Sequence, residues 1–150
     1  MVVDHWLTGI GLGSYTLLSP VYLKGFPEHY HSSRVHSEYL ELLIELGIPV
    51  ASLLFCWLAA GMWKLLTRIL ALRSVSESQI AKMIMATASL CGIIGFLAHG
   101  LIDFGWRLPA NVFFAMTLLA LCVTSLESIE EEVQSSDARA ATETQQDMEA

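Results

Sequence analysis

The chain has 150 residues, of which 54% are hydrophobic and only 15% are charged, and its formal net charge is −7. Soluble domains carry about 25% charged residues, so the composition, with a mean hydropathy of +0.54, indicates a membrane protein. Eight of the fifteen acids follow Ser125, which leaves the rest of the chain nearly neutral. No clustered basic face points to nucleic acid as a partner, and the three cysteines match no metal or redox spacing.

Residues 1–45 are expected to form a loop segment on the outer side of the membrane. Gly9, Gly11 and Gly13 alternate along its first part. One interpretation is a loop that cradles phosphate, but no lysine follows and no strand–helix context is evident. The favoured interpretation is a glycine-rich segment that packs closely against helices. The next stretch, residues 20–34, contains Pro20, Gly25 and Pro27 and has the composition of a loop.

An amphipathic helix is predicted near residues 34–46, with Ser32 or Ser33 as its cap. A helical period places Glu38, Glu41 and Glu45 on one face. We expect these carboxylates to face water or the lipid headgroups, with the apolar face turned toward the membrane bundle.

His36 projects from that apolar face on the same helical wheel. It fits either a hydrogen-bonded histidine that fills a helix contact or a group that transfers a proton or orients a substrate, since imidazole titrates near neutral pH. His29 and His31 are close in sequence, but their spacing to His36 is no established metal-ligand pattern. We predict no metal site.

Three segments approach the length of about 20 apolar residues that a helix needs to cross a bilayer. They are residues 46–63, 83–102 and 108–126. The loop at 64–82 contains four cations and one acid, and these are Lys64, Arg68, Arg73, Lys82 and Glu77. The positive-inside rule therefore places this loop in the cytoplasm and residues 1–45 outside. The acidic tail, 127–150, is predicted to be cytoplasmic and to be disordered beyond about Ser135.

The turn between the last two spans concentrates polar side chains. His99 and Asp103 are four residues apart, on one helical face. In one interpretation Asp103, Arg107 and Asn111 cap the following helix, which Pro109 begins, and tie two helices together. In the other, Arg107 faces an anionic headgroup or a diphosphate.

Three motifs in this order give the chain a family resemblance. They are GIGLGSY, then HSEYLELLIELG, then DFGWRLPAN, and the matching positions are Gly11, Gly13, Ser14, Tyr15, His36, Ser37, Tyr39, Leu40, Glu45, Gly47, Asp103, Phe104, Pro109 and Asn111. The set resembles the C-terminal part of the O-antigen ligase and O-antigen polymerase superfamily. These polytopic bacterial glycosyltransferases act at the outer face of the inner membrane.

The resemblance implies transfer of a glycan from a polyprenyl-diphosphate-linked donor to an acceptor hydroxyl, with inversion and without a metal or other cofactor. The acceptor would be a lipid A–core sugar, a growing polysaccharide or a protein side chain. His36 would activate the acceptor hydroxyl or orient the substrate. Arg34 and Arg107 are the outer arginines left to stabilise a departing diphosphate, and Tyr39 and Asp103 are the other candidate substrate-binding residues.

The chain also departs from the family pattern, because such enzymes have many more spans than three and most of their diphosphate-binding arginines lie upstream. We therefore expect a C-terminal fragment that is inactive alone and needs a missing N-terminal transmembrane half as partner. Two alternatives remain. One is a non-catalytic, three-helix accessory protein of the membrane. The other is a transport subunit in which His99 and Asp103 relay protons.

Overall fold

The structure, a computed structural model, describes residues 1–22, 37–72, 76–103 and 105–149, with side chains through Gln146. This described chain is all-helical. Its elements are α1 (Tyr15–Tyr22), α2 (Glu38–Ala71), α3 (Glu77–His99), a 3-10 turn (Gly105–Arg107) and α4 (Pro109–Glu149).

Helices α2, α3 and α4 are each long and apolar enough to cross a membrane. They contain the three predicted spans, except that α3 ends at His99 rather than at residue 102. In their most apolar windows only 17–22% of the residues are buried within the protein. Large side chains such as Leu53, Trp57 and Phe113 point outward instead, as is required of helices whose solvent is lipid. The predicted all-α architecture with three membrane-crossing helices is confirmed.

Gly47 divides α2 into two halves. Its backbone is non-helical, with φ 76° and ψ 163°, an extended conformation at positive φ that is essentially restricted to glycine. The half before it, from Glu38, corresponds to the predicted amphipathic helix. Its cap is Ser37, whose Oγ accepts a hydrogen bond from Leu40 N at 3.5 Å. The predicted caps, Ser32 and Ser33, lie outside the described residues.

The tail differs from the prediction of disorder, because α4 continues without interruption to Glu149. Its 41 residues correspond to a helix about 60 Å long. The tail composition is acidic and poor in large apolar residues, which led to the prediction of disorder. However, no glycine or proline follows Pro109, and the abundant alanine, glutamate and glutamine have high helix propensity.

The chain forms two compact units. Unit 1 is Met1–Trp63 with Ile94–Phe114, and unit 2 is Lys64–Ile93 with Ala115–Ala150. In unit 2, Arg68 donates two hydrogen bonds to Glu130, at 2.9 and 2.8 Å, and Lys82 pairs with Glu132. These ion pairs join α2 and α3 to α4. All three motifs of the family resemblance lie in unit 1.

Candidate functional site

Three carboxylates are buried on one face of the first half of α2. Glu38, Glu41 and Glu45 are each only 1% exposed, whereas Leu40, on another side of the helix, is exposed. The prediction that the glutamates face water or headgroups is therefore wrong. Beside a bilayer, the polar face of a helix is the one that turns into the protein, because lipid offers ionised groups no hydrogen bonds.

Arg107 is the centre on which these carboxylates converge. Its Nη2 lies 2.6 Å from Glu45 Oε2 and 3.0 Å from Glu41 Oε1, and its Nε lies 3.6 Å from Glu38 Oε2. The short 3-10 turn before α4 positions this guanidinium. One cation from the α3–α4 connection thus holds three successive acids of α2, and we call these four residues the Arg107 cluster.

Backbone amides donate further hydrogen bonds to two carboxylates of the cluster. Trp106 N donates to Glu38 Oε1 at 3.0 Å, and Tyr15 N donates to Glu45 Oε1 at 3.4 Å. At the start of α2, Glu38 N donates to Gly100 O at 2.9 Å, which satisfies one of the amides that a helix N-terminus leaves open. The cluster therefore fixes the N-terminal segment, α2 and the α3–α4 connection to one another.

The glycine-rich segment closes the other end of this half of α2. Ile10 N donates to Ile44 O at 3.1 Å, Gly11 N donates to Glu45 O at 3.0 Å, and Ile48 N donates to Trp6 O at 2.7 Å. The first two bonds satisfy carbonyls, and the third satisfies an amide, that the kink at Gly47 leaves without helical partners.

The contact is close because of its glycines. A Cβ added to Gly9 would lie 2.2 Å from Glu45 O, and the φ angles of Gly9, Gly11 and Gly13 are all positive. The favoured interpretation, close packing against a helix, is confirmed. The amides of Ile10 and Gly11 bind helix carbonyls, so they do not form a phosphate cradle in this conformation.

An aromatic group lies next to the cluster. The Tyr39 ring packs edge-on against Trp106, with centroids 4.8 Å apart, and lies 5.1 Å from Phe55. Its hydroxyl donates to Leu97 O at 2.9 Å. The Trp106 indole lies directly over Gly100, where an added Cβ would come within 2.5 Å of the ring. Tyr39 therefore joins α2 to α3, and its predicted contact with substrate stays a prediction.

The predicted start of α4 at Pro109 is confirmed, whereas the bond of Asn111 stabilises the turn and is not a cap, since it donates to a carbonyl and the open groups at a helix N-terminus are amides. Pro109 is the first residue of α4, and Asn111 Nδ2 donates to Gly105 O at 3.0 Å. Asp103 Oδ2 lies 3.3 Å from His99 Nε2, as their four-residue spacing predicted. The substrate-binding role of Asp103 stays a prediction.

His36 and Arg34 lie outside the described residues. The chain resumes at Ser37, so His36 directly precedes the cap of α2 and is two positions from Glu38. Among the described residues, no group of three or more His, Cys, Asp or Glu side chains is arranged to hold a metal ion.

The Arg107 cluster contains three acidic side chains and one basic side chain. Burial lowers the pKa of Arg107, but hydrogen bonding to Glu45 and the charges of Glu41, Glu45 and Glu38 outweigh it and raise the pKa overall. Burial and the charge of Glu41 also raise the pKa of the Tyr15 hydroxyl. The predicted binding of a diphosphate by Arg107 would require its guanidinium, 28% exposed, to exchange carboxylates for phosphate oxygens.

Sequence reasoning included Arg107 and Glu45 in separate motifs but did not connect them. Opposite charges near the ends of predicted spans were the available signal, because such residues usually pair inside the protein.

Comparisons of the chain with protein-family models, with curated proteins and with solved structures found no match.

Proposed function

We propose that this chain forms the C-terminal part of a membrane glycosyltransferase of the O-antigen ligase and polymerase type. It would help to transfer a glycan from a polyprenyl-diphosphate donor to an acceptor hydroxyl of a cell-surface polysaccharide or lipopolysaccharide. The observation that carries the proposal is that the three motifs of the resemblance, far apart in sequence, contact one another in unit 1.

Each motif supplies part of the contact. The first provides the amides of Gly11 and Tyr15, which bond to Glu45 of the second. Arg107, inside the third, pairs with the same Glu45. The linear order of the motifs does not require any of these contacts. Their convergence is what a shared site would produce, and this supports the proposal.

The convergence also suggests how the proposed catalytic residue is held. The described chain resumes at Ser37, and the next residue, Glu38, is fixed by Gly100, Trp106 and Arg107. His36 directly precedes this fixed segment in the sequence, and positioning of a reacting group contributes strongly to catalysis.

In the proposed reaction, His36 accepts the proton of the acceptor hydroxyl while its oxygen attacks the anomeric carbon. The bond from that carbon to the diphosphate oxygen breaks with inversion, and the polyprenyl diphosphate leaves with the electron pair. Stabilising this leaving group requires cations. The Arg107 cluster has three acids for one arginine, so we assign Arg107 a positioning role and leave the diphosphate to Arg34 and to arginines of further spans.

The proposal assigns the chain to the bacterial inner membrane, with residues 1–45 and the α3–α4 connection at the periplasmic face and the tail of α4 in the cytoplasm. The cations of the 64–82 loop support this orientation. Activity would require the further spans of such an enzyme, and lipid-to-acceptor transfer by this chain alone would contradict that requirement.

The test replaces His36 with alanine in the native host, with every other component of the enzyme present. We expect loss of the polysaccharide ladder, measured by gel electrophoresis. We also expect accumulation of polyprenyl-linked glycan, measured by mass spectrometry of lipid extracts. His31→Ala, in the same stretch of chain, is the matched control and should keep the ladder. An unchanged ladder in His36→Ala, at equal protein level in the membrane, would refute the proposal.

A further inference from the structure

Residues 1–22 expose an unusual amount of apolar surface for a segment that does not span the membrane. The large apolar side chains that point away from the protein include Val3, Trp6, Leu7, Leu12, Leu17 and Val21. Leu12 is 70% exposed and Leu17 is 77% exposed. Asp4 is the only Asp, Glu, Lys or Arg among these 22 residues. Exposed apolar surface of this kind marks a binding surface for protein or membrane.

The segment is not itself a membrane span. Gly9, Gly11 and Gly13 all have positive φ, which excludes a continuous helix through them. The helix that follows, α1, has only eight residues, far fewer than the ~20 that crossing requires.

Backbone contacts fix where the segment lies relative to the membrane. Trp6 O accepts a hydrogen bond from Ile48 N at 2.7 Å, and a Cβ on Gly47 would lie 2.8 Å from Leu7 O. Gly47 and Ile48 are the point at which the polar half of α2 ends and its apolar, membrane-crossing half begins. Residues 6–11 are therefore held at the level where α2 enters the bilayer.

We propose that residues 1–22 lie in the interfacial layer of the same bilayer, with their apolar side chains between the lipid headgroups and the first carbons of the acyl chains. We assign lipid as the occupant because this apolar surface continues into the exposed apolar surface of the membrane-crossing half of α2. The exposed side chains of Ile48, Val50 and Leu53 begin directly beside Trp6 and Leu7. Trp6 and Tyr22 add the aromatic rings that favour this layer.

In this location, the apolar side chains of residues 1–22 would cover the side of the Arg107 cluster that faces the membrane. The first segment would then act as an anchor that holds unit 1 against the bilayer, in addition to the three crossing helices. The inference does not depend on the proposed glycosyltransfer, because it uses only the exposure of residues 1–22 and their bonds to the start of the span.

The test measures the depth of single spin labels in the full chain reconstituted into phosphatidylethanolamine–phosphatidylglycerol liposomes. Cys56, Cys91 and Cys122 are replaced by alanine, and one cysteine is introduced at Leu12 or at Leu17. We expect both labels to collide several-fold more often with oxygen, which concentrates in lipid, than with a water-soluble nickel chelate. Labels at Leu53 and at Thr142, exposed on the span and on the tail, give the lipid and water references.

Two results would overturn the inference. Labels at Leu12 and Leu17 that behave like the one at Thr142 would show that the segment is in water. Labels that neither reagent reaches would show that a second copy or another protein covers it. Because the cysteine replacements could affect folding, the wild-type chain is also photolabelled with a phospholipid carrying a diazirine near its headgroup. Peptides from residues 1–22 should carry the label, and their absence from the labelled set would refute the proposal.

Discussion

Replacing Gly9 with alanine should separate the N-terminal segment from α2. The added Cβ would lie 2.2 Å from Glu45 O and 2.5 Å from Gly47 N, and both are backbone atoms that no side-chain rotation can move. Reaching even 3.0 Å needs a shift of about 0.8 Å, which would stretch the hydrogen bonds from Ile10 N, Gly11 N and Ile48 N, now 2.7–3.1 Å long. At about 1 kcal/mol for each hydrogen bond and about 1–2 kcal/mol for the left-handed backbone, the cost is about 4–5 kcal/mol.

Gly13→Ala is the matched control for this prediction. Gly13 has a similar φ of 77°, but no atom lies within 4 Å of its added Cβ, so only the backbone cost of about 1–2 kcal/mol applies. Reversible unfolding in mixed detergent micelles, followed by circular dichroism, gives the free energy of unfolding for each variant. We expect Gly9→Ala to lose about 3 kcal/mol more than Gly13→Ala, from three hydrogen bonds. Equal losses would refute the close approach.

Three other predictions follow from the ion pairs and the orientation. Arg107→Met should lower the free energy of unfolding by about 3 kcal/mol, the lower end for a buried pair because the guanidinium is 28% exposed. Arg107→Lys should lower it less, and an Arg107→Met variant as stable as wild type would contradict the prediction. Hydrogen bonds from Arg68 lower the pKa of Glu130, so a double-mutant cycle with Arg68→Gln and Glu130→Gln should give a coupling below about 1 kcal/mol at neutral pH. That coupling should persist above the ordinary glutamate pKa of about 4.3 and disappear as the pH falls through the lowered value; coupling that grows in acid would refute the assignment. Green fluorescent protein fused after Ala150 should fluoresce and alkaline phosphatase fused there should be inactive, since both report a cytoplasmic tail; the reverse pattern would invert the orientation.

The sequence predicted the helices well because the length of an apolar run is set by the thickness of the bilayer. The kink was less accessible. Gly47 and Pro49 are visible in the sequence, but membrane helices tolerate both residues, and only the contact with Gly9 requires a break there. The tail was predicted as disordered from its charge, whereas its helix propensity decides the structure.

The candidate site shows where a helical wheel fails. The wheel grouped Glu38, Glu41 and Glu45 correctly but assigned them to the outside, since it takes water as the solvent on every polar face. Their partner, Arg107, is 62 positions from Glu45, and nothing in the local pattern pairs residues so distant. The backbone amides of Trp106 and Tyr15 that donate to the cluster cannot be recognised in the sequence. Every residue except proline carries a backbone N–H, so its presence marks no particular position.

The separation between Glu45 and Arg107 also sets an order for biosynthesis. At about 5–20 residues per second, a ribosome makes Arg107 roughly 3–12 s after Glu45, since 62 positions divide them. During that interval the first half of α2 has been made without the guanidinium that pairs with its acids. The connection carrying Arg107 can therefore join this cluster only after α3 has been made.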